Sequence, residues 1–441
     1  MEMSDRSLVL VLGNDLNRDA AKTSHHLCSA LGRLGMGAIA RDSRLIRWAA
    51  DAVAHESPER ADAYETMVVA KWNKFIFDYG FDVVISLDLN WLFSSRLFLD
   101  ADKVKQIHSF WFGDMGTHLQ AAPMFSTAPH TVLDLINHSK VSHHAFGRGQ
   151  TSELALLGVQ RIGTTALAAP AEFLEADEPC SEYGKLAFQG DPGLGVSPTP
   201  QALAALERGD GMATLRRMAG QEILDALPAG ELTLSWIRQC PTVTDLLAAA
   251  VALRLAQPQT AAVQLLEETR ATYPAAWDFL QRNHLVIEAA MLVKAINRYD
   301  RLAMVKRLSR RGWLDVFGAS EQWKPFGIEA RPVMTIPQMA AHYRRYPAHL
   351  NLPHFWRDGA ADEQLFEIAA CGRLSLNLDG PELRLSYDAD QIALAPSDES
   401  FEAAAEEIVR DPSAAFAAGE KARRRTADKH LWEHRLGKVL A

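Results

Sequence analysis

The chain opens on a continuous apolar run, Ser7 to Leu12 (SLVLVL), closed by a polar turn at Gly13-Asn14-Asp15. A run with no polar alternation fits a parallel strand buried on both faces. Residues 19–34 then place Ala20, Leu27, Ala30, Leu31 and Leu34 at roughly helical spacing. Gly35 and Gly37 end that helix, and residues 37–41 read as a second strand. Strand, turn, helix and strand in this order are the opening unit of a doubly wound sheet.

The pattern continues. Residues 59–79 read as a helix, 81–87 and 103–109 as strands, and 130–137 as a helix. Lys140–Val141 reads as a short strand, Glu153–Leu157 as helical, and Gly163–Leu167 as the last strand of this half. The acidic segment 171–184, with Pro179 and Gly184, reads as a linker. Residues 185–189 (KLAFQ) then begin a second series, with Gly190-Asp191-Pro192-Gly193 as its turn. From about 200 to 310 the chain is rich in Ala, Leu and Arg and reads as several helices, among them 243–255, 260–270 and 284–296. One crossover helix needs far fewer residues, so an inserted helical region is expected. Strands return at 314–317, 330–335, 348–352 and 373–378, with helices at 337–345, 364–370, 400–410 and 415–428.

Composition removes several function classes. The 441 residues exceed one ordinary core. A net charge of -9 repels phosphate backbones, so no nucleic-acid partner is expected. Four scattered cysteines, with no CxxC pair, form neither a disulfide framework nor a zinc site. No opening signal and no apolar run of membrane-spanning length occur, which points to the cytoplasm and to no transmembrane segment. The adjacent pairs His25-His26 and His143-His144 do not suit a metal, and HExxH, GxGxxG, Gly-Lys-Ser/Thr and GxSxG are absent. No metal site is expected.

The C-terminal third says most. Residues 365–372 read LFEIAACG, the strand RLSLNL follows, and residues 430–436 read HLWEHRL. This spacing resembles the C-terminal domain of CgeB-like glycosyltransferases. In that group a helix with an aromatic-Glu pair ends in Ala-Cys-Gly or Ala-Gly, and the chain ends in a His-x-Tyr-x-x-Arg helix. His430, Trp432 and Arg435 occupy that ending, with Trp432 in the place of the Tyr. The resemblance covers about 310–441 well and the N-terminal half loosely. It implies an α/β fold of the GT-B type: two Rossmann-like, doubly wound domains facing a cleft, the second with a helical insertion. The expected domains are 1–175 for the acceptor, 176–425 for the nucleotide sugar with the insertion at about 200–300, and a helix at 426–441 packing back toward the first domain.

The implied activity is transfer of a sugar from a nucleoside-diphosphate sugar to a hydroxyl on a glycan or protein acceptor. That donor is a co-substrate, and no permanently bound cofactor is implied. For donor binding the candidates are Glu367 with its neighbour Phe366, Gly372, the loop at Gly190 and Asp191, and Arg435. A carboxylate in the first turn of a helix can accept hydrogen bonds from a ribose diol. A loop leading into a helix N-terminus can meet the phosphates. For catalysis the candidate bases are His108, Asp114 and Asp15; Asn14 and Trp111 are candidates for the acceptor side. Many retaining GT-B enzymes carry two glutamates separated by seven residues. Counting back from Glu367 gives Gly359, with Asp358 beside it, so the stereochemical outcome stays open. Two alternatives remain: a sugar-nucleotide epimerase or hydrolase on the same scaffold, and a non-catalytic module that binds a protein through an apolar groove in the helical region.

Overall fold

A computed structural model describes residues 7–13, 18–42, most of 67–89, Leu92, 98–99, 103–111, 129–175, 178–195, 197–358 and 360–441. The chain divides into two compact units. One comprises residues 1–146, 158–166 and 432–441; the other comprises 147–157 and 167–431.

The first unit is built on six parallel strands in the order β2-β1-β3-β4-β5-β6. They are β1 (Leu8–Gly13), β2 (Gly37–Asp42), β3 (Val83–Leu87), β4 (Gln106–Trp111), β5 (Val141–Ala145) and β6 (Ile162–Thr164). Val9 to Leu12 are completely buried, as an unbroken apolar run requires of a central strand. Helix α1 (Arg18–Arg33) connects β1 to β2, and α2 (Pro129–Ile136) precedes β5. β2 starts at the expected residue, β1, β3, β5 and β6 start one or two residues away, and β4 starts three residues late at Gln106; the apolar pattern marks a strand's centre, not its ends.

The second unit has a parallel sheet in the order β12-β11-β10-β7-β8-β9. Its strands are β7 (Leu186–Gln189), β8 (Leu314–Phe317), β9 (Ala330–Arg331), β10 (Ala348–Asn351), β11 (Leu374–Leu378) and β12 (Ala393–Ala395). The chain starts in the middle at β7, builds outward through β8 and β9, then returns to add β10, β11 and β12 on the other side. That reversal puts the topological switch point between β7 and β10. The fold is therefore α/β with two Rossmann-like domains, as the sequence leads one to expect. Two strands differ. β9 covers two residues where six were expected, and β12, a three-residue edge strand, carries no readable pattern.

Helix α3 (Arg148–Leu156) lies between β5 and β6 in sequence yet belongs to the second unit. Between β7 and β8 run α4 (Pro200–Arg208), α5 (Met212–Ala226), α6 (Glu231–Gln239), α7 (Thr242–Ala256), α8 (Ala262–Thr269), α9 (Pro274–Arg282), α10 (Val286–Lys294) and α11 (Asp300–Arg310). Thr199 caps α4 by accepting from the Ala202 N–H, Pro200 opens it, and left-handed Gly209 closes it. Helices α4 and α11 pack on the sheet through Leu206, Leu302, Val305 and Leu308. Helices α7 to α10 form a second core around Leu246, Leu266, Trp277 and Leu280. The region therefore has a core of its own.

The rest of the unit holds α12 (Met339–Arg345), α13 (Glu363–Ala370), α14 (Pro381–Ser386), α15 (Asp398–Arg410) and α16 (Ser413–Lys429). The last helix, α17 (Trp432–Val439), belongs to the first unit, where Glu433 pairs with Arg33 of α1 at 3.1 Å. Among the described residues, no helix is long and apolar enough to cross a membrane.

Candidate functional site

At a switch point two neighbouring connections leave a sheet in opposite directions and open a crevice beyond the strand ends. In the second unit the crevice is bounded by the loop after β7, the segment after β10, and α13.

The loop after β7 is held from several sides. The Gly190 N–H donates to the Phe317 carbonyl at 2.9 Å, and Trp323 Nε1 donates to the Gly190 carbonyl at 3.0 Å. Asp191 Oδ1 accepts from the Gly193 N–H at 2.7 Å, an Asx turn. Gly193 sits at φ 72, where a Cβ would come within 3.1 Å of Arg301 Cδ and 3.3 Å of His354 Nδ1. Only glycine lets this backbone approach those side chains. Arg301 of α11 is the brace: Nε donates to the Leu352 carbonyl at 2.7 Å, and one terminal nitrogen reaches the Asp191 carbonyl at 3.1 Å. The expected helix N-terminus lies further on than a short turn would put it, since α4 begins at Pro200.

Several buried polar atoms here have no hydrogen-bond partner. They are Gln189 Oε1 at the end of β7, Asn351 Oδ1 at the end of β10, and His354 Nδ1 three residues on. The Asn351 amide donates to Asn377 Oδ1 of β11 at 2.8 Å, which fixes its orientation. His354 Nε2 lies 3.2 Å from an Arg301 nitrogen. An arginine can only donate, so Nε2 accepts and Nδ1 carries the proton. Burial and then the charges of Arg301 and Arg357 hold His354 well below the ordinary histidine range, so the ring is neutral. Buried polar groups without partners are rare in native proteins, and each asks for an explanation.

Helix α13 supplies the carboxylates. Its N-cap is Asp362, which pairs with Arg357 at 2.6 Å, and its first-turn acid is Glu363. Glu367 therefore sits one turn further in than expected. Glu363 and Glu367 stand four residues apart on one face, both buried, each with an oxygen within 4.8 Å of the other. Tyr343 Oη of α12 donates to Glu367 Oε2 at 2.9 Å. Left-handed Gly372 (φ 68) ends the helix, packed against the Arg423 side chain. Phe366 is fully buried against Tyr387 and His430, so its ring belongs to the core.

In the first unit, β4 and β5 bring three histidines together. Gln106 Oε1 accepts from His108 Nε2 at 3.2 Å, so His108 Nδ1 accepts from His144 Nε2 at 3.1 Å. His144 Nδ1 then accepts from the Thr165 hydroxyl at 3.2 Å. Burial lowers His108 to about 4; burial and then its two histidine neighbours lower His144 to about 3. With both ring nitrogens engaged, His108 has no lone pair left for an acceptor proton. Trp111 is 1% exposed, and its indole N–H donates to His143 Nδ1 at 3.0 Å, so its ring is a core ring and not a surface platform. Arg435 donates from Nε to the Ala166 carbonyl at 3.0 Å, inside the first unit and not in the unit that holds Gly190, Asp191 and Glu367. Asn14, Asp15, Asp114 and Gly359 lie outside the described residues.

The structure thus brings Gly190, Asp191, Glu367 and Gly372 into the second unit. It adds Arg301, Asn351, His354 and Glu363, which sequence reasoning missed. Glu363 was legible as the residue one helical turn before Glu367. Arg301 and His354 come from elements far from the loop they brace, and no local pattern marks them.

Residues 298–441, about a third of the chain, match the family described as glycosyl transferase-like. No curated protein matches the chain. Sucrose-phosphate synthase from Thermosynechococcus elongatus is similar at 10% identity and TM-score 0.47, over 99% of this chain and 98% of that one. Spinosyn rhamnosyltransferase SpnG, complexed with thymidine diphosphate, is similar at 10% identity and TM-score 0.39, over 98% and 99%. HepE of Anabaena, in complex with UDP and glucose, is similar at 9% identity and TM-score 0.44, over 98% of each.

Proposed function

We propose that this chain is a cytoplasmic glycosyltransferase of the GT-B type that moves a sugar from a nucleoside-diphosphate sugar to a hydroxyl acceptor on a glycan or protein. The second unit, from about residue 176, would be the donor domain, and the first the acceptor domain. One observation carries the reading most. The family match falls on the segment that supplies Arg301, Asn351, His354, Glu363 and Glu367 to the crevice, where buried polar atoms lack partners.

In this reading Glu367, with Glu363 beside it, accepts hydrogen bonds from the ribose diol. Tyr343 holds the Glu367 carboxylate for that role. The Gly190–Gly193 loop, stiffened by Asp191 and Arg301, lies against the phosphates. The positive N-terminal end of the α13 dipole stabilises the charge that gathers on the departing diphosphate. Holding donor and acceptor in place supplies much of the remaining rate. His108, spent in its hydrogen-bond chain, is a poor base, so the assignment passes to Asp15 or Asp114. The reading needs no metal, so a chelator should leave turnover unchanged.

A non-catalytic binding module would need a broad apolar groove in the helical region. Among the described residues of 200–300, Leu232 is the one large apolar side chain that is mostly exposed. The region's apolar residues fill its own core.

The test is a thermal-shift panel of UDP, GDP, dTDP and CMP with their common sugars, then calorimetry on Glu367→Ala. A ligand at a hundred times its dissociation constant stabilises by about 2.7 kcal/mol. We expect one diphosphate series to raise the melting temperature, and Glu367→Ala to weaken it at least tenfold. No shift with any member of the panel would end the transferase reading. A donor consumed equally fast with and without acceptor would favour the hydrolase or epimerase.

A further inference from the structure

Apart from Arg301, the helical region has no assigned task in the reading above, yet six of its residues line a cavity at the crevice. A narrow cavity of about 60 Å³ lies beyond the strand ends of the second unit. The sheet side contributes Gly193, Leu352, His354 and Gly380 among others, and the helical side contributes Arg254, Gln259, Asn297, Arg298, Asp300 and Arg301. The volume admits a few water-sized groups, hence the hydroxyl edge of a small molecule and not a nucleotide.

The polar atoms around it are fixed and incompletely matched. Asn297 Nδ2 donates to the Pro258 carbonyl at 2.9 Å, which orients the amide and leaves Oδ1 without a partner. Arg254 is 2% exposed. One terminal nitrogen pairs with Asp358 at 2.7 Å, the other donates to the Thr260 carbonyl, and Nε has no partner. Arg298 pairs with Glu222 and also keeps an unpartnered Nε. With the His354 Nδ1–H, the lining holds three unmatched N–H donors and one unmatched carbonyl acceptor. A buried donor without a partner costs about 1–3 kcal/mol, so a set of four points to an occupant that hydrogen-bonds in both senses.

The charges narrow the choice. Each arginine here already faces a carboxylate: Arg254 with Asp358, Arg298 with Glu222, and Arg301 with Asp191. Asp300, also in the lining, is matched by Arg216 at 2.7 Å. Among the described lining residues, no positive charge is left over for a carboxylate ligand. Hydroxyls, which both donate and accept, suit the set.

We propose that the helical region completes the donor site by binding the hydroxyl edge of the transferred sugar through Arg254, Gln259, Asn297 and Arg298, and so selects an uncharged hydroxylated sugar over an acidic one. This rests on the glycosyltransferase reading. Backbone ends of a Rossmann-like sheet can hold a nucleotide; the helices add discrimination of what that nucleotide carries.

The experiment compares affinities on the full chain by calorimetry: UDP against UDP-glucose and UDP-glucuronate, dTDP against dTDP-glucose, and GDP against GDP-mannose. Wild type should bind the neutral sugar conjugate of its preferred base more tightly than the bare diphosphate, and UDP-glucuronate no more tightly than UDP. Asn297→Ala should weaken the conjugate about tenfold and leave the diphosphate unchanged. Gln259→Ala, at a partly exposed position that tolerates truncation, should weaken the conjugate a few-fold and serves if Asn297→Ala does not fold. Equal loss for diphosphate and conjugate, no loss in either variant, or tighter binding of UDP-glucuronate would overturn the proposal, the polar atoms then being met by water alone. If no diphosphate binds wild type, the glycosyltransferase reading falls and the proposal with it. If diphosphates bind but the variants do not discriminate, the proposal alone falls.

Discussion

The two sheets bury polar side chains in opposite ways. In the first unit, Gln106, His108, His144 and Thr165 form a closed chain in which each named nitrogen has a partner, and Trp111 and His143 close a second one. In the second unit, Gln189, Asn351 and His354 at the strand ends each keep an atom with none. A matched set needs nothing from outside and reads as architecture. An unmatched set at a switch point reads as a binding surface. The same test separates residue from residue, whatever its type: His108 and His354 are both buried histidines, yet only His354 leaves a hydrogen-bonding atom unused.

The contrast breaks most visibly where a matched pair is split. Glu153 of α3 and Lys294 of α10 form an ion pair with 1% and 3% of their side chains exposed. Burial raises the Glu153 carboxyl, and Lys294 offsets it. Lys294→Met should leave that carboxylate without its cation and cost about 3–5 kcal/mol, measured as a lower urea midpoint. The double variant Glu153→Leu with Lys294→Met should recover most of the loss. A single variant as stable as wild type would mean that α3 is held by packing alone.

Acid probes the histidine chain next. His108 and His143 are lowered to about 4 and His144 to about 3, chiefly by burial, against about 6.5 in an unfolded chain. Between those values the unfolded chain binds more protons than the folded one, so stability rises with pH. The contribution is complete above about pH 6.5 and is lost as pH falls toward 4. Each histidine adds a slope of about 1.4 kcal/mol per pH unit within that window. His144→Asn should flatten the urea midpoint against pH by about that amount. An unchanged slope would mean that the ring is hydrated and titrates normally.

Much of the scaffold was legible because parallel sheets announce themselves. SLVLVL, KLAFQ and RLSLNL are apolar runs that only a doubly covered strand explains, and each lies within two residues of where the structure puts it. Short edges such as β12 carry too few residues for a pattern. In the candidate site, Glu367 and Gly372 were marked by a local motif. Arg301 and His354 were not, because what they do depends on the turn of a loop a hundred residues away. His108 was legible as a histidine near a strand end. Its commitment to Gln106 and His144 was not, since strand pairing places His144 beside it.

Trp111→Phe sharpens the comparison at moderate size. It removes the indole donor and leaves His143 Nδ1 buried without it, for a loss of about 1–3 kcal/mol in urea unfolding. Affinity for the diphosphate found in the thermal-shift panel should not change. A fall in that affinity with stability intact would instead mean that Trp111 contributes to diphosphate binding.

Tyr343→Phe is the mirror image, a small change that should act on binding more than on stability. The hydroxyl donates to Glu367 Oε2 at 2.9 Å, and the ring is fully buried, so phenylalanine keeps the packing and removes one atom. If Glu367 meets the ribose, this bond serves to aim its carboxylate. Releasing it should weaken the diphosphate about three- to tenfold while the melting temperature of the free protein shifts by only a few degrees. The ratio of the two effects is informative. Binding lost out of proportion to stability places the Tyr343–Glu367 bond in the donor site. Stability lost with binding unchanged makes the bond part of the core, and the ribose would then have to be read by Glu363.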